Sequence, residues 1–320
     1  MRKQKNMKDK MYGVILAAGK GDRIKPLSFD LPKPLLPICN KPIMEYQLQD
    51  MMRLGIKDYV FVVGHLKEKI IKYFGDGNSW GVNIRYVEQK EKLGIAHAVG
   101  QLENYVDAPF MLFLGDIFIV PKNLNRMVEA FQRKKAGAVL AVKKERDCES
   151  IKRNFTVSLY PQTNRVKRVI EKPRFLLTDL KGCGIYLFDQ AIFDAIRCTP
   201  RTAMRDEYEI TTAIQILIED GCSVYTSEVV EWDMNVTIPQ DLLLCNRRQL
   251  KYICKDNVIC KTAKIAPNAK IINSVIGKNV EIHHPIIIKD SVILDNVKIK
   301  EKNDFNNNLV SSTSIIRLVS

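Results

Sequence analysis

The sequence of 320 residues predicts an α/β protein: a doubly wound, mainly parallel, Rossmann-like sheet followed by a short left-handed parallel β-helix of hexapeptide repeats. Two observations carry this reading. From 12 to about 141, short β-rich runs alternate with helical patterns. From Ile259 onward, aliphatic residues fall on a six-residue period. The length, which exceeds what one core usually holds, adds the expectation of two units.

The first strand is read at 12–16. Pro42 suits the first turn of a helix that continues through Met51 and Leu54, with Gly55 as its stop. A strand at 59–63, a helix at 66–74 closed by Gly75, a strand at 84–88 and a helix after Gly94 follow. The run 110–114 is the most continuously apolar, as expected of a central strand covered on both faces. Between about 143 and 235 the pattern is mixed, with strands at 155–159, 166–170 and 184–188 and a helix from near Glu207 to before Gly221. Pro239 opens a last helix reaching about Leu250.

The six-residue period takes in Ile259, Ile265 and Ile271 and then, after a one-residue slip, Ile276, Ile282, Ile288 and Leu294. Two positions before each of the last six stands a small or β-branched residue: Ala263, Ala269, Ser274, Val280, Ile286 and Val292. Seven hits on one pattern fit stacked β-helix coils better than a pair of hairpins. They amount to about two coils within 251–302. The Asn-rich tail, 303–320, is expected to be loose.

Composition narrows the function classes. With 46% apolar and 27% charged residues and no apolar run near the roughly 20 residues of a membrane span, the chain reads as a soluble protein. The basic N-terminal extension, 1–11, lacks the apolar region of a secretory signal. Eight cysteines show no C-x-x-C pair and read as reduced thiols, which points to the cytoplasm. The net charge of +14 suits a protein handling phosphates, and no zinc finger or RNP-type motif accompanies it to favour nucleic acid.

The sharpest segment runs Leu16, Ala17, Ala18, Gly19, Lys20, Gly21, Asp22, Arg23, followed by Pro32-Lys33-Pro34. Small residues directly after a strand let backbone N–H groups approach an anion, and Arg23 and Lys33 add charge against a polyphosphate. A dinucleotide fingerprint would need Gly where Ile24 stands, and a Walker loop would need Gly-Lys-Ser/Thr, so neither fits. Asp116 follows the central strand directly and is expected at the carboxyl end of the sheet, where open α/β folds bind ligands.

This segment resembles the signature of the sugar-phosphate nucleotidyltransferase family, especially its glucose-1-phosphate thymidylyltransferase branch, and the likeness extends over about 12–250. Asp22 departs from it, standing where the family usually has Thr. The resemblance implies a magnesium-dependent enzyme that joins a nucleoside triphosphate, with dTTP or UTP favoured, to a sugar 1-phosphate, with glucose 1-phosphate favoured. It assigns Gln89 and Gly94, in Gln89-x-x-x-x-Gly94-x-Ala96-x-Ala98, to the nucleobase; an amide offers both a donor and an acceptor to a base edge. His97, within that segment, is read as structural. Asp116 becomes a magnesium ligand by the same resemblance, and a hard carboxylate oxygen suits that ion. The second ligand is Asn235, at the family's acidic position four before Pro239, or Asp233, two residues earlier; both stand. Glu171 and Lys172, in Glu171-Lys172-Pro173, match the element that holds the sugar and its phosphate, and Gly184 opens the following G-x-Y-x-F strand. Thr156 stands where the family brings bare Gly backbone to the sugar.

Two other classes are weighed. A non-catalytic regulatory protein of this type is expected to have lost Arg23, Lys33, Asp116 or Lys172, and all four are present. A second, acyl-transfer activity in the β-helix would need more than about two coils. A guanylyl- or cytidylyltransferase of the same family stays open, since neither base nor sugar is fixed. A homo-oligomer is expected, because a short β-helix leaves an open edge.

Overall fold

The computed structural model describes residues 10–203 and 206–317, so positions 1–9 of the expected N-terminal extension and 318–320 of the expected tail lie outside the described residues. β1 (Tyr12–Ala17) leads through three single-turn 3₁₀ helices to a small hairpin of β2 (Pro37–Ile38) and β3 (Lys41–Pro42), and then to α1 (Ile43–Met52). Pro42 therefore does not open the helix: it pairs with Pro37 in the hairpin, one residue before α1, on a two-residue strand whose ladder can spare its missing N–H. The expected alternation follows as β4 (Asp58–Val63), α2 (Lys67–Phe74), β5 (Asn83–Glu88), α3 (Ile95–Gly100) and β6 (Phe110–Leu114). Next come β7 (Ile117–Pro121), α4 (Asn125–Lys134), β8 (Ala138–Lys144), α5 (Cys148–Lys152), β9 (Phe155–Leu159), β10 (Val166–Glu171) and β11 (Leu180–Phe188). The chain before the β-helix closes with α6 (Ala191–Arg197), α7 (Ile210–Glu219), β12 (Val224–Glu228), β13 (Val230–Asn235) and α8 (Pro239–Tyr252).

The chain divides into two compact units. The first comprises the segment up to Gly19, Gln47–Gly115 and Ile119–Asp233. It contains a nine-stranded sheet in the order β10-β9-β11-β6-β1-β4-β5, with β8 branching from β11 and β12 beside β8. β6, β1, β4 and β5 are parallel, the doubly wound half. β6 lies fourth of seven on that path, the central place its apolar run predicts. Beyond it the sheet changes sense: β11 is antiparallel to β6, β8 and β9. All nine residues of β11 are buried. Side chains of Phe155, Tyr186, Phe188, Phe110 and Phe193 form a row whose ring centroids lie 5.5–5.9 Å apart, each buried ring contributing about 1.5–3 kcal/mol over exposure.

The second unit comprises Lys20–Tyr46, Asp116–Phe118 and the chain from Met234 onward. Its β-helix is longer than expected. Ile259, Ile276, Ile293 and Val310 stack in parallel register, as do Ile265, Ile282 and Ile299, and Ile271, Ile288 and Phe305. The steps along the chain are six, six and five residues, so the slip recurs in every coil and each coil has 17 residues. The inward residue of the third coil is therefore Ile293, and Leu294 is displaced from that role. The repeat also runs past 302. The tail expected to be loose supplies strands Phe305–Asn306 and Asn308–Val310, and Ile315–Arg317 folds back antiparallel on the latter. Phe305, Leu309 and Val310 are buried, and this apolar content, spaced for the coil, is what the Asn-rich composition obscures. The described residues form three coils, one more than the two on which acyl transfer is set aside above.

The five-residue side has its own hydrogen bonds. Ser274 N–H donates to Asn257 Oδ1, Ser291 N–H to Ser274 Oγ and Asn308 N–H to Ser291 Oγ, each at 3.0 Å. A tight corner would otherwise strand these buried N–H groups. The residue before each, Asn273, Asp290 and Asn307, turns the corner with a positive φ of 46–58°, a conformation Asn and Asp tolerate better than most. Within the same unit Asn40 Nδ2–H donates to Ile276 O at 2.7 Å, and Arg247 of α8 donates to Asp290 O at 3.1 Å and to Asn307. Buried Asn246 joins α8 to the hairpin, accepting from Cys39 N–H at 2.7 Å and donating to Pro37 O at 3.2 Å. The coils are thus docked on α8 and the β2–β3 hairpin.

Candidate active site

The signature loop leaves β1 and carries its charged groups into the second unit. Gly21 adopts φ +70°, and a Cβ there would stand 2.7 Å from Lys33 Cγ, so only glycine lets the loop close over that side chain. The Lys33 side chain is 9% exposed, and its Nζ lies 2.9 Å from Asp116 Oδ2. Arg23 is exposed and makes no hydrogen bond or ion pair among the described residues. Asp22, the departure from the family signature, pairs with Lys25 at 2.9 Å, which removes a bare carboxylate from the loop. Gly19, just after β1 in the first unit, has nothing among the described residues within 4 Å of where a Cβ would lie. Its backbone is open to a ligand.

Asp116 is also fixed through its backbone: Val236 N–H donates to Asp116 O at 2.9 Å, which brings the residue after Asn235 against the residue that ends the central strand's turn. One carboxylate and one amide carbonyl are a sparse set of hard oxygens. Among the described residues no group of three or more His, Cys, Asp or Glu side chains is arranged to hold a metal. A carboxylate and an amide carbonyl are oxygens of the kind that suit magnesium, which takes few protein ligands and fills the rest from phosphates and water.

Asp233 does not fit. In the first unit its side chain is 0% exposed and lies between two ammonium groups, Lys181 Nζ at 2.7 Å from Oδ2 and Lys143 Nζ at 2.9 Å from Oδ1, the latter without hydrogen-bond geometry. A cation arriving there would face two positive charges. Glu145, 2.9 Å from Lys143, completes the cluster. Burial by itself would lower the Lys143 ammonium, but Asp233 and Glu145 hold it above its ordinary value. Burial would likewise raise Glu145, and its bonds from Lys143 and the Asp147 N–H keep it below the usual carboxylate range. The sequence reading missed this quartet; the signal was present as Lys143 and Lys181 in strands otherwise apolar, since a lysine is almost never buried unless paired. Asp233→Ala should cost about 3–5 kcal/mol of stability by leaving the buried Lys181 ammonium only the more distant Glu145, at 3.9 Å, and Asn235→Ala should cost less. Urea unfolding of the two variants checks this.

The remaining predicted residues lie in the first unit. Leu16 O accepts Gly115 N–H at 2.9 Å, tying the end of β1 to the turn after β6. Glu171 ends β10 and accepts from Thr211 Oγ1 at 3.2 Å. Lys172 follows with φ +40°, pinned where its N–H donates to Asn154 O at 2.8 Å, and its ammonium lies 3.9 Å from Glu171. Thr156 is fully buried and its hydroxyl donates to Leu180 O at 2.7 Å, so the side chain is turned to backbone. Gly184 sits where β11 shifts register against β8. Gln89 and Gly94 are joined by an amide-to-carbonyl contact of 3.5 Å.

The nucleotidyl transferase family profile matches residues 12–233. The chain belongs to that family. A second profile, the GlmU-like C-terminal hexapeptide, matches residues 243–317 of this nucleotidyl transferase. It is 34% identical to the low-salt glycan biosynthesis nucleotidyltransferase Agl11 of Haloferax volcanii, over 82% of this chain and 71% of that protein. It is 36% identical to the UTP–glucose-1-phosphate uridylyltransferase AglF of the same organism, over 72% of this chain and 93% of that protein. A glucose-1-phosphate thymidylyltransferase of Streptomyces antibioticus is 30% identical over 90% of this chain and 84% of its own length. A UDP-glucose pyrophosphorylase solved with UDP-glucose superposes with a TM-score of 0.66 at 21% identity, covering 76% of this chain and 99% of its own, a likeness of fold.

Proposed function

We propose that this protein transfers a nucleotidyl group from dTTP or UTP to glucose 1-phosphate in a magnesium-dependent reaction that releases pyrophosphate. The observation that carries the reading is the Lys33–Asp116 pair: the buried ammonium of the family's signature segment meets, at 2.9 Å, the carboxylate that follows the central strand, and Arg23 of the same segment is exposed. The family relatives named for uridylyl and thymidylyl transfer support the choice of base and sugar.

A phosphate oxygen of the sugar phosphate attacks the α-phosphorus, forming one P–O bond while the bond to the β-phosphate oxygen breaks, and pyrophosphate departs with that electron pair. No covalent intermediate with the protein is needed. Two anions must be brought together, so positioning and charge neutralisation supply most of the rate. Lys33 and Lys172 align the reacting phosphates, and Arg23 stabilises the leaving pyrophosphate. Backbone from Leu16 to Gly21 cradles the triphosphate, Gln89 and Gly94 meet the base, and Glu171 and Gly184 the sugar. Asp116 and Asn235 would hold magnesium, which supplies charge neutralisation on the phosphates when bound. We place the reaction in the cytoplasm, on the strength of eight unbridged cysteines, and expect a homo-oligomer. No helix among the described residues is long and apolar enough to cross a membrane.

Pyrophosphate release across five nucleoside triphosphates and several sugar phosphates, with and without magnesium, tests the reading; release with no combination would reject it. A chain ending at Leu250 loses the Asn40–Ile276 and Arg247–Asp290 contacts, and every residue given a role lies before the cut. It should keep measurable transfer activity while melting lower and losing subunits in light scattering. A folded but inactive truncated chain would show that the coils complete the site.

A further inference from the structure

The base-reading segment contains a relay of polar side chains that the proposed reaction has not used. Gly94 has φ +106°, and a Cβ there would lie 2.5 Å from Tyr208 O. The loop is pinned on both sides of it, by Tyr208 N–H donating to Leu93 O at 2.7 Å and Ala96 N–H donating to Tyr208 O at 2.9 Å. Into this fixed frame project Gln89, His97 and Gln101. Gln89 Nε2 lies 3.5 Å from Gly94 O and 3.3 Å from His97 Nδ1. The other ring nitrogen, His97 Nε2, lies 3.5 Å from the Gln101 amide, and the ring stacks on Tyr208 at 6.3 Å with 25° between planes.

The order of hydrogen-bond roles follows from one group whose role is never in question. A peptide carbonyl only accepts, so Gly94 O obliges Gln89 to turn its NH₂ toward it. The same NH₂ faces His97 Nδ1, so Nδ1 accepts and the ring proton sits on Nε2. Nε2–H then needs an acceptor, which Gln101 Oε1 supplies once that amide is turned by 180°; as placed, Gln101 Oε1 has no hydrogen bond among the described residues. What remains is Gln89 Oε1, which accepts nothing among the described residues.

We propose that His97 is a positioning residue for nucleobase selection, its Nδ1 holding the Gln89 amide so that Oε1 is kept as an acceptor for the imide N–H of uracil or thymine. Cytosine carries a lone pair at that ring nitrogen and is disfavoured there. This rests on the reading that Gln89 meets the base. It deepens that reading by naming what fixes the direction of the amide.

The test compares kcat/KM for UTP, dTTP and CTP with glucose 1-phosphate in the full-length protein and four variants. His97→Phe keeps a ring on Tyr208 without the acceptor. It is expected to reduce the preference for UTP or dTTP over CTP by about tenfold, the scale of one misdirected hydrogen bond. His97→Asn places an amide oxygen near the lost Nδ1 and should stay within about threefold of the parent. His97→Ala carries the same expectation as His97→Phe should the latter fail to fold. Gln89→Ala separates the two layers: selectivity unchanged in that variant removes the base contact itself. Selectivity altered by Gln89→Ala but not by His97→Phe, or lost equally in His97→Asn, overturns the relay and leaves the base contact standing.

Discussion

Asp116→Asn should abolish magnesium-supported turnover, a loss of about 1000-fold or more, while the protein remains folded. The substitution keeps the size and one carbonyl oxygen of the side chain and removes its charge, the property that a hard divalent cation most requires. The Lys33–Asp116 pair limits the structural cost. The carboxylate is 45% exposed and an amide oxygen still accepts from Lys33, so the buried ammonium keeps a hydrogen-bond partner. Thermal melting beside pyrophosphate release across a magnesium titration provides the comparison. Most of the activity surviving at low magnesium would remove Asp116 from the metal site.

Arg23→Ala should reduce turnover by a factor of about 100 to 1000, the scale for losing one preorganised donor at a developing charge. Stability should not change, because the guanidinium is exposed and touches no partner among the described residues. The contrast with Lys33 is instructive. Lys33 is buried against the loop and tied to Asp116, so its removal would mix structural and chemical losses, whereas Arg23 is held ready without being spent on the fold. Near-normal turnover of Arg23→Ala with a productive substrate pair would take the residue out of the mechanism.

Much of this was legible before any coordinates. The parallel half of the sheet follows from runs such as 110–114 and 59–63, where length and apolar continuity leave little choice. The placing of Asp116 at the carboxyl end of β6 follows from its position directly after such a run. What escaped the sequence was of another kind. The antiparallel entry of β11 depends on which strand it pairs with, a long-range matter on which periodicity is silent. Asp233 and Asn235 are separated by one residue and both offer a side-chain oxygen, and only the two lysines brought from β8 and β11 reveal that the carboxylate is already paired. The Gln89 amide that faces His97 lies eight residues away across a turn held by Gly94, a placement on which spacing is silent.

The polar ladder of the β-helix has a consequence for how this architecture can vary. Because each corner N–H is taken by an oxygen 17 positions earlier, from Asn257 through Ser274 and Ser291 to Asn308, the rungs are interchangeable. Length is therefore quantised: the chain can gain or drop 17 residues and find the same acceptor waiting, while a gain or loss of any other size throws every later rung out of phase. Evolution or an engineer working on this end of the molecule is left with whole turns as the unit of change, and with the Arg247 contacts to Asp290 and Asn307 marking the two successive turns by which a shortened β-helix would stay fastened to α8.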